Sequence, residues 1–213
     1  MTGYVADVVA LARKDLRLEL RARDTVPAMV LFVLATLVIF HFALPEESGD
    51  LAAYGLLWVA LVFTALLGLV RAFAAERDQG VLDGLVLAPS DRSAIWLAKA
   101  IATLAFLGLV EIVALPAFGL FFSGVSWTTV GGVVLADIGI CAVGTLLAAM
   151  AAATRTRELL LPLLFLPLAI PIVIGGVGAS VVDDGGRYLA FLAFYDAIFA
   201  IICWASFEYV VTE

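Results

Sequence analysis

Three acidic residues stand where so apolar a chain least tolerates them. Glu111, Asp137 and Asp196 each lie deep inside a long hydrophobic run. A carboxyl group kept inside a bilayer is costly. It serves an ion or proton path, contacts a substrate, or bonds internally. No lysine or arginine is expected at their depth. Bonding to serine, threonine or backbone groups, and pairing with another subunit, stand open beside a functional role.

Other reactive side chains are few. His41 is the single histidine of the chain and sits between Phe40 and Phe42 at the end of the first apolar run. It reads either as an interfacial anchor, the favoured reading, or as a ligand for a metal centre such as haem iron. Cys141 and Cys203 both fall in apolar runs, where cysteine behaves as a small hydrophobe. Two thiols and one histidine make a poor metal set, so neither metal nor cofactor is assigned. Neither Lys14 nor Lys99 follows the glycines of a phosphate-binding loop, and no zinc-protease or nucleophile-elbow motif occurs. The chain does not read as an enzyme.

A second group of polar residues lies between two apolar runs, in A-E-R-D-Q-G-V-L-D-G-L-V-L-A-P-S-D-R-S-A-I-W-L-A-K, Ala75 to Lys99. Val81, Leu82, Leu85 and Val86 fit one face of a short helix. Glu76, Arg77, Asp78, Asp83 and Asp91 bracket it. Gly80 and Gly84 limit its length, and Ala88-Pro89 ends it. Ser90 or Asp91 can cap the helix that follows. Such a helix suits a groove on a separate ATPase; a surface loop without a partner is the plainer alternative.

The elements that must position these residues follow from composition. The chain is 64% hydrophobic, well above a soluble domain, and several runs exceed the roughly 20 residues that cross a bilayer. Six spans are expected, at Val26–Leu44, Leu51–Phe73, Ala94–Phe122, Thr129–Ala153, Leu159–Val182 and Tyr188–Val211. The runs are continuous and do not alternate, which argues against barrel strands. Eleven of the 12 lysines and arginines fall on one side of this arrangement, and only Arg187 on the other. That side is expected to be cytoplasmic, with both termini inside. The three acids then lie roughly 12–17 Å below the outer surface at 1.5 Å per residue. Before the first span, Tyr4–Arg23 reads as an amphipathic helix with Val5, Val8, Val9, Ala12, Leu16 and Leu20 on its apolar stripe; such a helix lies in the membrane surface. No signal peptide is read in these charged residues. Pro162, Pro167 and Pro171, followed by Gly175, Gly176 and Gly178, leave two readings of span five: a broken or re-entrant outer half, or a kinked continuous helix. Aromatic residues crowd toward the outer side, the pattern of an interfacial belt. A net charge of −7 argues against nucleic acid as a partner.

The run A-F-A-A-E-R-D-Q-G-V-L-D-G-L-V-L-A-P-S-D-R-S-A-I-W-L-A-K, Ala72 to Lys99, resembles the signature of the CcmB family, membrane subunits of the ABC transporter of cytochrome c maturation. R-K-D-L-R-L-E-L at Arg13–Leu20, T-R-T-R-E-L-L-L-P-L at Thr154–Leu163 and A-F-Y-D-A-I-F at Ala193–Phe199 are similar to it as well. The resemblance implies an all-α membrane protein with six transmembrane helices of the type-2 ABC exporter kind. Residues 1–25 would form an N-terminal amphipathic connecting helix and residues 26–213 the permease domain. A coupling region at 76–92 would dock on the ATPase through Glu76, Arg77, Asp78, Val81, Leu82, Leu85, Val86, Asp91 and Arg92. The implied partners are a cytosolic ABC ATPase subunit, a tryptophan-rich haem-handling membrane subunit, a second copy of this chain, and the bilayer. No tryptophan-rich haem motif occurs here, so no haem ligand is assigned. Competing readings are a type-2 permease for another substrate such as a lipid or drug, a non-transporting assembly scaffold, and an ion-coupled carrier built on Glu111, Asp137 and Asp196.

Overall fold

A computed structural model describes residues 2–22, 24–45, 49–73, 91–122, 124–152, 157–182 and 184–212. Among these there are seven helices and no strand: α1 (Thr2–Ala22), α2 (Thr25–Ala43), α3 (Gly49–Arg71), α4 (Arg92–Phe121), α5 (Trp127–Ala152), α6 (Arg157–Val181) and α7 (Gly186–Thr212). The last six are long and apolar enough to cross a membrane, and each begins and ends within about two residues of the expected span. Run length decided this, because a backbone in hydrocarbon must satisfy its own hydrogen bonds as helix. The protein is an all-α, multi-pass membrane protein.

Small residues set the packing. α5 sits at the centre, against α4, α6 and α7, and its glycines let neighbours approach closely. Gly144 receives Leu69 of α3, Gly139 receives Asp196 of α7, and Gly132 lies against Ala179 of α6. Trp58 of α3 is 1% exposed and lays its ring on Gly176 of α6. Its Nε1 donates to Ser180 Oγ at 3.2 Å, and that hydroxyl donates to the Gly176 carbonyl at 2.8 Å. Trp96 of α4 donates to the Ala142 carbonyl of α5 at 3.1 Å.

α6 decides between the two readings of span five. It runs as one helix through Pro162, Pro167 and Pro171, so the outer half is neither broken nor re-entrant. A proline disturbs the backbone ladder in the turn before it, and a neighbouring helix adds a bond beside Pro171. Tyr195 of α7 donates its hydroxyl to the Leu168 carbonyl, three residues before Pro171, at 2.8 Å.

α1 lies along α4, with Val8 and Ala12 buried on Ala94 and Ala98. The expected apolar stripe therefore splits. Its Val8–Ala12 edge packs on protein, whereas Val5, Val9 and Leu20 stay exposed, as suits a helix that also meets lipid. α4 has 30 residues, about 45 Å of helix. That exceeds the roughly 30 Å hydrocarbon core, so it tilts or extends beyond the core.

Candidate functional site

The three intramembrane acids share one layer. Glu111 lies ten residues before the end of α4, and Asp137 and Asp196 lie ten residues after the starts of α5 and α7. All three are buried. Yet the layer holds two separate sites. Glu111 and Asp137 face each other across the α4–α5 contact, within hydrogen-bonding reach. Two carboxyl groups can hydrogen-bond to each other only through a proton on one of them. Asp196 stands on the opposite side of α5, against Gly139. Positions 137 and 139 are about 200° apart around a helix, which explains the division. Neither Asp196 carboxyl oxygen has a hydrogen-bond partner among the described residues, nor does Thr145 Oγ1. Such orphaned buried groups are uncommon in native structures.

The expected docking residues Glu76, Arg77, Asp78, Val81, Leu82, Leu85 and Val86 lie outside the described residues. The two roots of their segment are described. At the far root Asp91 is the N-cap of α4, where its Oδ1 accepts from Ser93 N at 2.9 Å and from Ser93 Oγ at 2.8 Å. Of the two expected caps, Ser90 or Asp91, it is Asp91 that serves. The Ser93 hydroxyl also lies 3.2 Å from Tyr4 OH of α1. Arg92 pairs with Glu208 of α7 at 3.8 Å. Asp91 and Arg92 thus make contacts within the bundle.

The near root is held by Lys99. This lysine is 5% exposed. Its Nζ donates to the Ala72 carbonyl at 2.7 Å, pairs with Asp15 Oδ2 of α1 at 3.2 Å, and lies 4.9 Å from the centre of the Phe73 ring. Lys14 meets the other Asp15 oxygen at 3.1 Å. Arg71 and Thr25 line a small cavity of about 40 Å³ beside Lys99. Sequence reading counted Lys99 only as a topology signal. Asp15, Tyr4 and Ser93 gave no signal, because their partners are 84, 89 and 89 residues away in the chain.

At the opposite end of the bundle His41 packs as a ring among rings. Its centroid lies 5.3 Å from Phe42 and Phe121 and 5.7 Å from Phe122. Phe118 continues the cluster to Phe122 and Tyr54, each at 5.2 Å, and Tyr54 OH donates to the Gly124 carbonyl at 2.9 Å. This aromatic knot joins the ends of α2, α3 and α4. Both cysteines are buried. Among the described residues, no three His, Cys, Asp or Glu side chains gather closely enough to hold a metal ion.

Several relatives share this sequence over about four fifths of its length. The chain is 33% identical over 177 residues to a protein of Bradyrhizobium diazoefficiens, covering 80% of this chain and 79% of the relative. It is 33% identical over 187 residues to one of Rhodobacter capsulatus, covering 85% and 84%. Pseudomonas aeruginosa has a relative 31% identical over 175 residues, covering 79% and 78%. All three are named "Heme exporter protein B". The profile of the family described as CcmB protein matches residues 6–209, which takes in most of α1, the 74–90 segment and all six spans but for the last residues of α7. The chain belongs to the CcmB protein family.

Proposed function

We propose that this chain is the membrane subunit of an ABC transporter for haem export in cytochrome c maturation. The carrying observation is the family match over residues 6–209, with relatives named "Heme exporter protein B" aligned over about four fifths of both chains. Six apolar helices with buried polar contacts between them fit a permease. ATP is hydrolysed on a separate chain, which grips the segment 76–92. Leu82, Leu85 and Val86 form the apolar docking face, with Glu76, Arg77, Asp78, Asp91 and Arg92 around it.

In this reading residues 1–25 are the connecting helix and residues 26–213 the permease domain, of type-2 exporter form. Both termini are cytoplasmic, in keeping with the one-sided lysines and arginines. A second copy completes the pathway, and a tryptophan-rich membrane subunit handles the haem. ATP binding displaces the docking segment, and the spans move as rigid bodies.

The double substitution Leu82→Asp, Leu85→Asp tests the reading. It places two charges on the docking face and leaves the spans untouched. The expected result is loss of the ATPase from the purified complex and loss of cytochrome c assembly in cells. Retention of both refutes the docking face. A tagged wild-type chain that brings down no ATPase refutes the transporter reading as a whole.

A further inference from the structure

A docking segment can do work only if its displacement reaches the bundle. The segment between residues 73 and 91 leaves α3 and rejoins at α4, and both roots are tied to α1. At one root, Lys99 of α4 bonds the Ala72 carbonyl and the Asp15 carboxylate, with Phe73 beneath its ammonium group. At the other, the Ser93 hydroxyl joins Asp91 to Tyr4. We propose that Lys99 is a positioning residue for force transfer: through Ala72 and Asp15 it ties the α3-side root of the 74–90 segment and α1 to α4, whose first turn is the other root, so that displacement of the segment is delivered to α1. This rests on the reading above, in which an ATPase holds that segment.

Two features carry the inference beyond ordinary packing. The first is the choice of lysine. A buried ion pair is a poor source of stability, because an apolar side chain of similar volume serves the fold as well or better; what it supplies is register. Here one ammonium group reaches three elements at once, α1, the end of α3 and α4. The second is the spacing of the ties. Tyr4 and Asp15 are eleven residues apart on α1, about 16 Å along the axis. Val8 and Ala12 sit between them on Ala94 and Ala98. Two polar ties with an apolar seam between them prevent α1 from pivoting about either tie. α1 then carries the movement along the membrane surface, where its exposed Val5, Val9 and Leu20 meet lipid.

The test uses the full chain with its ATPase subunit in phospholipid nanodiscs and reads backbone amide exchange with and without a non-hydrolysable ATP analogue. In the wild type the analogue should change exchange in α1. Lys99→Met should abolish that change while the ATPase stays bound, and Lys99→Arg should restore at least half of it. Asp15→Asn, which breaks the pair from the other side and keeps the bond to Ala72, should act in the same direction and serves if Lys99→Met does not fold. A role in folding alone predicts raised exchange with an intact response to nucleotide; that result, or a full response in Lys99→Met, overturns the proposal. If no ATPase binds the wild type, the transporter reading fails, and the tie is judged on the free chain. There Lys99→Met should raise exchange in α1 and in residues 91–99 together, by tenfold or more, and unchanged exchange overturns it.

Discussion

Gly139→Ala probes the contact between α5 and Asp196 directly. A methyl group at position 139 would overlap Asp196 Oδ1 and stand 3.3 Å from Ile172 Cδ1 and 3.4 Å from Tyr195 Cδ1. The carboxyl has little room to yield, since Asp196 is 6% exposed. Overpacking of this kind costs about 1–3 kcal/mol. At about 2–4 °C per kcal/mol for a chain of this size, the expected fall in Tm is roughly 2–12 °C. Asp196→Ala removes the obstacle together with two oxygens that have no partner among the described residues. Relief of an unsatisfied buried group is worth about 1–3 kcal/mol, against the packing lost with the side chain. The double variant should therefore be more stable than the sum of the single effects by at least about 1 kcal/mol, the coupling expected of touching residues. The assay is thermal unfolding of the four proteins in one detergent. A Gly139→Ala protein that melts with the wild type, or strictly additive changes in the double variant, refutes the geometry. The double variant also separates the roles of Asp196. With stability restored, returning activity marks the acid as structural, and persistent loss marks it as functional.

Gly176→Ala should destabilise by about 1–3 kcal/mol, because the new methyl meets the Trp58 ring; Trp58→Phe should recover most of the loss in the same melting assay. Asp91→Ala removes the cap of α4 and should cost about 1 kcal/mol, read as faster amide exchange confined to the first turn of that helix. Both native thiols are buried, so a membrane-impermeant maleimide should leave the wild type unlabelled in sealed vesicles. Cysteines placed at Arg21 and Asp184 should then label from opposite sides, and labelling from the same side refutes the six-span topology.

The spans were legible because their signal is one-dimensional: an uninterrupted apolar run announces its own helix. The equal depth of Glu111, Asp137 and Asp196 was legible for the same reason, being a count along each run. What each acid faces was not. Pairing of Glu111 with Asp137, and seating of Asp196 on Gly139, depend on the rotation of three helices about their axes, and an apolar run carries almost no rotational signal when lipid and protein both accept leucine. α1 shows the same limit, since its stripe was visible but not which edge packs on α4. Lys99 was misjudged because a charge beside a span reads as topology. Its partners are a backbone carbonyl and the aspartate of Arg13-Lys14-Asp15, which no periodicity marks. The prolines of α6 left a broken and a continuous helix equally open, because the Tyr195 hydroxyl that binds the Leu168 carbonyl belongs to another helix.

Those prolines also give α6 an uneven stiffness. Toward Val181 the helix is gripped at three levels: by Tyr195 at Leu168, by the Trp58 ring at Gly176, and by the Trp58 indole at Ser180. Toward Arg157, Leu161 and Phe165 are buried while Leu159 and Leu163 face outward, and Pro162 and Pro167 each remove a rung from the ladder. A helix notched by proline bends at the notches. Pro162 and Pro167 are thus the points at which α6 bends most readily on its way to that grip.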